Sequence, residues 1–319
     1  MRVLFLGTPD FARTFLEALA QNQTRLGLQL AGVVTQPDRK SGRGRKLSPP
    51  PVKVAALQLE LPILQCARIR GDAEGMEFLR QARPDVMVVV AFGQILPREF
   101  FAWPRFGSLN VHTSLLPRYR GAAPVVHAIL NGEKETGVTV MKLDEGMDTG
   151  DVLAQSTTPI GPDVTSGDLE RQLLRQGVEL LLGTLPPYLS GELQARPQDH
   201  GRATLAPLIR KEDARIDWTR PACRIHDQIR AFNPRPGAFT SFRGERLKIW
   251  RSRNPHASAF PVPGGRIRTT GKGSILVGCG QGSSLEVVEL QLANRGRVGA
   301  RDFINGMKLR SGERLGVGG

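Results

Sequence analysis

At 319 residues the chain is long enough for two domains, and a composition 40% hydrophobic and 23% charged is that of a globular protein. No apolar run approaches the roughly 18 residues of a membrane span, so a soluble protein is expected, and three scattered cysteines without disulfide or zinc spacing fit a reducing cytoplasm. The net charge of +14 is uneven: residues 1–206 hold 23 Lys and Arg against 21 Asp and Glu, which leaves 21 against 9 for residues 207–319, an electrostatic footprint for a polyanion.

RVLFLGT (2–8) reads as a first strand rather than a leader, because Gly7, Pro9 and Asp10 follow it without a cleavage site. The periodic stretch 11–20 predicts a helix, and LQLAGVVTQ (28–36), LPILQ (61–65) and DVMVVVAF (85–92) predict further strands, with a second helix over 73–82. Strands alternating with helices imply right-handed βαβ units and a doubly wound, mostly parallel sheet, in which ligands sit at the carboxyl ends of strands. The first turn, GTPDFA (7–12), is not GxGxxG, so a nicotinamide enzyme is disfavoured. After the second strand comes TQPDRKSGRGRKLSPPPVK (35–53), in which Arg39, Lys40, Arg43, Arg45, Lys46 and Lys53 face only Asp38. Such a loop is most often simply solvated. Beside a strongly basic C-terminal region, phosphate contact becomes the better reading, with Arg43 flanked by Gly42 and Gly44.

The next strand carries the chemistry. In SLNVHTSLLPRYRGAAP (108–124), residues two apart point the same way, so Asn110, His112 and Ser114 share one face before the chain breaks into a loop. Asparagine offers a neutral N–H to an oxygen that becomes negative, and histidine exchanges protons near neutral pH. The pair alone fits a core histidine beside a hydrogen-bonded asparagine equally well. TGVTVMKLDEGMDTGDVLAQ (136–155) reads as strand, acidic loop, strand, with Asp144, Glu145, Asp148 and Asp151 crowded together and Gly146 and Gly150 permitting turns that aim one carboxylate inward. A carboxylate facing the histidine would orient it; a solvated turn or a cation site is the competitor, although the spacing is not that of an EF-hand.

A helix over 165–185 closes the first domain, and the polar stretch 192–206 reads as a linker, dividing the chain into 1–191, 192–206 and 207–319. Beyond it, a short helix near 221–232 and strands at 246–252 and 284–292 separated by glycine-rich turns suggest a small β-barrel of the OB type used to bind oligonucleotides. GGRIRTTGKGS (264–274) lacks P-loop spacing and reads as hairpin turns. Cys66, Cys223 and Cys279 are odd in number, far apart and without CxxC spacing, so neither disulfides nor structural zinc is expected.

GTPDFA, TQPDRKSGRGRKL (35–47), LNVHTSLLPRYRGAAP (109–124), TGVTVMKLDEGMDTGD (136–151), RKEDARIDW (210–218), IRAFNPRPGAF (229–239) and RLKIW (246–250) together resemble the 10-formyltetrahydrofolate-dependent formyltransferase family, and within it the methionyl-tRNA formyltransferases. The resemblance spans nearly the whole chain and departs at Leu205 and Leu208, where that family more often has Tyr and Lys. It implies a Rossmann-like catalytic domain followed by an OB-like domain that binds tRNA. It also implies Asn110, His112 and Asp148 as catalytic residues, Ser114, Leu115, Leu116 and Pro117 as folate-binding, with residues 91–93 as a neighbouring wall, and Arg43, Arg45 and Lys46 as tRNA-binding. The implied reaction takes a formyl group from 10-formyltetrahydrofolate to methionyl initiator tRNA in a monomeric enzyme without a metal. Formyltransferases acting on an amino-sugar nucleotide or on glycinamide ribonucleotide are the nearest rivals, and the basic insert and basic C-terminal region argue against both. A nucleic-acid-binding protein with a dead enzyme domain is opposed by the intact Asn, His and Asp set.

Overall fold

The computed structural model describes residues 1–41, 46–253, 263–270 and 273–316. Contacts divide the chain into two units: one comprises 1–121, 137–158 and 172–205, the other 122–136, 159–171 and 206–319.

In chain order the elements are β1 (Arg2–Gly7), α1 (Asp10–Gln21), α2 (Gln23–Leu26), β2 (Gln29–Thr35), β3 (Arg39–Ser41), β4 (Lys46–Ser48), α3 (Pro51–Gln58), β5 (Ile63–Gln65), α4 (Ala73–Ala82), β6 (Val86–Val90), α5 (Arg98–Phe101), β7 (Ser108–His112), α6 (Pro124–Leu130), β8 (Glu135–Lys142), β9 (Val152–Pro159) and α7 (Ser166–Ser190). The seven-stranded sheet runs β5-β2-β1-β6-β7-β8-β9. Its first five strands pair in parallel, as expected, and β8 lies antiparallel to β7. β1 and β6 are buried along almost their whole length, the mark of parallel strands covered on both faces, and that is why they read as unbroken Val and Leu runs. α1 buries Ala12, Phe15, Leu16 and Leu19, a stripe at helical spacing. Asp72 caps α4 by accepting from the Glu74 N–H at 3.2 Å.

The chain winds outward from β1 through β2 to β5, then returns to β6 and β7 on the other side. The switch between β1 and β6 opens a crevice at the carboxyl edge. There the turn after β6 is fixed by its Phe92 carbonyl, which accepts from Thr8 Oγ1 at 3.1 Å and from Gln36 Nε2 at 2.8 Å.

Two elements differ from the sequence reading. The strand with Asn110 ends at His112, so Ser114 lies in the following loop and strand alternation no longer governs its direction. α7 runs five residues past the expected end at 185, through Pro186 and Pro187. Each proline removes a helical donor, a cost offset here by burial of Leu185 and Leu189 and by the Tyr188 hydroxyl, which donates to the Phe106 carbonyl at 2.6 Å.

The second unit continues with α8 (Ala222–Ala231), β10 (Phe239–Phe242), β11 (Glu245–Arg253), β12 (Ile267–Thr269), β13 (Ile275–Gly278), β14 (Ser284–Leu292), β15 (Val298–Gly299) and α9 (Ala300–Met307). Its sheet runs β10-β11-β14-β13-β12, with β15 on β14 and every pairing antiparallel, a curled half-barrel consistent with an OB-like domain. Ile225 and Ile229 of α8 pack with Leu247, Ile249, Leu285 and Val287 in its core. The 264–274 stretch joins β12 to β13 as a hairpin, strand to strand rather than strand to helix; its residues 271–272 lie outside the described ones.

Candidate active site

β7 delivers Asn110 and His112 to the carboxyl edge of the first unit's sheet. Its other face, Leu109 and Val111, is buried, and its register against β8 sets His112 opposite Thr139. His112 is itself 6% exposed and Asn110 half-buried. Among the described residues the Asn110 side-chain amide has no protein hydrogen-bond partner, so its N–H donors are available to a ligand oxygen.

His112 Nε2 lies 2.9 Å from the Tyr119 carbonyl. A carbonyl can only accept, so Nε2 carries a proton and the neutral ring keeps its lone pair on Nδ1. Nδ1 faces Asp148 Oδ2 at 3.6 Å, too far for a direct hydrogen bond and close enough for the carboxylate to act on the ring electrostatically. The same Asp148 oxygen accepts from the Gly121 N–H at 2.7 Å. Residues 119–121 therefore hold the ring from one side and the carboxylate from the other.

Of the four acidic residues in this loop, only Asp148 turns inward, with its side chain 17% exposed; Asp144, Glu145 and Asp151 are solvated. The residue that bends is Asp148 itself, at φ 54°, rather than either glycine. Asp144 braces the turn by accepting from the Gly146 N–H at 3.0 Å and from Thr149 Oγ1 at 2.6 Å. Gly150 is required for close approach: a Cβ there would sit 1.9 Å from the Lys142 carbonyl oxygen.

The loop after β7 holds the other expected residues. Ser114 Oγ donates to the Arg118 carbonyl at 2.6 Å, so this hydroxyl is spent on the turn. Leu116 is buried, and Leu115 and Pro117 are half-buried. Thr139 Oγ1 donates to the Ser114 carbonyl at 2.6 Å and accepts from the Leu116 N–H at 3.2 Å, while Gln155 Nε2 donates to the Leu116 carbonyl at 2.9 Å. Thr139 and Gln155 were not singled out from sequence because a β-strand threonine and glutamine carry no motif.

Arg43 and Arg45 lie outside the described residues. Lys46 is exposed on β4, which pairs with β3 in a hairpin, Lys40 opposite Leu47. The base of that hairpin is anchored at Asp38, which accepts from Lys53 Nζ at 2.9 Å and Gln65 Nε2 at 2.7 Å. Those two bonds, Lys53 first, hold the Asp38 carboxyl below the usual carboxylate range.

Gln198 and His200, in the polar stretch after α7, also reach this region. Gln198, 7% exposed, accepts from Arg120 Nη2 at 2.6 Å and donates to the Asp148 and Gly150 carbonyls at 3.0 and 2.7 Å. His200 Nδ1 accepts from Arg120 at 3.0 Å. Among the described residues no group of three or more His, Cys, Asp or Glu side chains could hold a metal ion, and no helix is long and apolar enough to cross a membrane.

A formyl transferase model matches residues 1–185 and a formyl transferase C-terminal domain model matches 208–308. A methionyl-tRNA formyltransferase of Solibacter usitatus is 46% identical over 318 residues, covering 100% of this chain and 99% of its own length. One of Geobacter sulfurreducens is 44% identical over 319 residues, covering 100% and 98%. Among solved structures, an N-formyltransferase of Helicobacter canadensis in complex with folinic acid and dTDP-3-aminofucose shares the fold at a TM-score of 0.65 with 21% identity, covering 89% of this chain and 98% of that one.

Proposed function

The chain belongs to the formyl transferase family, and on that premise we propose that it transfers a formyl group from 10-formyltetrahydrofolate to the α-amino group of methionine carried by initiator tRNA. The observation that carries this reading is the unpartnered Asn110 amide on the strand face that also presents His112, whose Nδ1 looks across 3.6 Å to Asp148.

In this mechanism the neutral amine attacks the formyl carbon, a C–N bond forms, and the carbonyl oxygen becomes an oxyanion. Asn110 donates to that oxygen in a setting where a preorganised donor costs no reorganisation. The proton lost by the amine passes to His112 Nδ1, with Asp148 as the counter-charge across the gap, and is delivered to N10 as the N10–C bond breaks and tetrahydrofolate leaves. No acyl-enzyme is needed, since the amine is a competent nucleophile. The half-buried and buried side chains of Leu115, Leu116 and Pro117 suit a flat ring system, with Ser114 shaping their turn; residues 91–93 are the neighbouring wall that the family resemblance implies.

Residues 1–191 form the catalytic domain of this reading and 207–319 the basic tRNA-binding domain, joined through 192–206. Arg43, Arg45 and Lys46 guide the acceptor end, a role supported by the charge of the hairpin and by its place after β2. The enzyme acts as a monomer in the cytoplasm.

Replacing Asn110, His112 or Asp148 by alanine should each lower kcat by about 10²- to 10⁴-fold with tRNA affinity little changed. Wild-type turnover by a folded His112→Ala protein would contradict the assignment.

A further inference from the structure

His112, Tyr119, Gly121 and Asp148 form an open chain of contacts: Tyr119 O holds the ring, the Gly121 N–H holds the carboxylate, and Arg120 lies between them. Nothing in that chain fixes the backbone of Asp148, whose left-handed conformation at φ 54° is uncommon for a residue other than glycine. Gln198 closes it. Its oxygen takes two guanidinium N–H bonds from Arg120, at 2.6 and 3.2 Å, and its nitrogen donates to the carbonyls of Asp148 and Gly150. Arginine only donates and carbonyls only accept, so the amide fits in one orientation and its bonding capacity is filled.

We propose that Gln198 is a positioning residue for the transfer, acting through Asp148 by locking the carboxylate's loop onto the peptide that holds His112. The proposal rests on His112 and Asp148 being the catalytic pair. A buried neutral amide suits the task because it satisfies a buried cation and two buried carbonyls without bringing a second negative charge beside Asp148. Thr204 supports the same peptide independently, its hydroxyl accepting from the Tyr119 N–H at 2.8 Å and its carbonyl from the Arg120 N–H at 2.8 Å. Removing Gln198 therefore loosens the Asp148 side while leaving the His112 side held.

The test is steady-state formylation of methionyl initiator tRNA by the full chain carrying Gln198→Glu or Gln198→Met, alone and combined with Asp148→Asn. Gln198→Glu keeps the acceptor for Arg120 but turns an oxygen towards two carbonyl oxygens; Gln198→Met removes both sets of bonds. A misplacement of about 1 Å costs on the order of 10²-fold, so each variant should lower kcat about 10- to 100-fold with KM for tRNA within about twofold of wild type. In the Asp148→Asn background the same changes should cost less than about threefold, because the group they position is already gone. Wild-type kcat in a folded variant, a rescue by Gln198→Glu, a change confined to KM, or full multiplication of the two effects would each overturn the proposal. If one variant fails to fold the other is read, and loss of fold in both overturns it, because Gln198 would then be a residue of general stability. Wild-type turnover by Asp148→Asn alone would instead sink the catalytic pair itself.

Discussion

Asp148 reaches His112 because its own backbone takes the left-handed turn, and the Gly121 N–H then fixes which oxygen faces the ring. Asn110 and His112 were legible in the sequence because strand alternation puts residues two apart on one face. Asp148 was singled out among four nearby carboxylates by the family resemblance and not by spacing, since its inward turn depends on a φ angle and on a partner 27 residues away. Gln198 was less legible still: its partners lie 48 to 78 residues earlier in the chain, and a glutamine in a polar stretch has no motif. Thiol chemistry is set at the same scale. Burial pushes the Cys279 thiol up to about 12, and burial together with the bond from Cys66 Sγ to Asp72 at 2.8 Å pushes Cys66 up to about 11. Both are neutral at pH 8, where the thiolate is the reactive form. Maleimide at pH 8 should label the exposed Cys223 in the native protein and reach Cys66 and Cys279 only on denaturation; mass spectrometry showing prompt native labelling of either would contradict this burial.

At the scale of elements, α1, α4, β1, β2 and β6 follow from period and composition, because parallel central strands are apolar on both faces and their helices bury one stripe. The extension of α7 through Pro186–Pro187 was hidden because the compensation is tertiary: Tyr188 bonds to Phe106, 82 residues earlier. The antiparallel addition of β8 was equally invisible, since alternation in one strand says nothing of its neighbour's direction. The close approach of β8 to β9 depends on Gly137, where a Cβ would meet the Ser156 carbonyl oxygen at 2.2 Å and Leu115 Cδ2 at 2.6 Å. Leu115 belongs to the turn that carries the proposed folate contacts. Gly137→Ala should therefore destabilise the chain by about 1–3 kcal/mol in urea unfolding, as overpacking generally does. An unchanged midpoint would mean that β8 and β9 can separate without cost. The anchor of the basic hairpin has a pH sense as well. Asp38 has its carboxyl lowered in the folded state, so its contribution is present above its ordinary value of 3.8 and is lost as pH falls through the lower folded value.

For the whole molecule, the charge difference between residues 1–206 and 207–319, net +2 against net +12, was plain from the sequence and points to a polyanionic partner. The second unit carries its cations beside aromatic rings, with Arg246 4.2 Å from the Phe239 ring centroid and Arg297 3.6 Å from that of Trp250. Burial, with Arg246 and Arg297 nearby, also holds Lys248 below the usual lysine range. Phosphate contacts made by these cations would make binding salt-dependent, each adding roughly 0.7 to 0.9 to the slope of log affinity against log salt, so about four contacts should weaken binding on the order of a hundredfold between 50 and 200 mM. The most direct test of the central claim is therefore one assay of acid-stable formyl transfer from 10-formyltetrahydrofolate to methionyl initiator tRNA, elongator methionyl-tRNA and an amino-sugar nucleotide, run at both salt concentrations. The account predicts that kcat/KM is highest for the initiator tRNA, falls steeply with salt for it, and is negligible for the sugar nucleotide. Salt-independent formylation of the sugar nucleotide at a rate matching or exceeding that of the tRNA would contradict it.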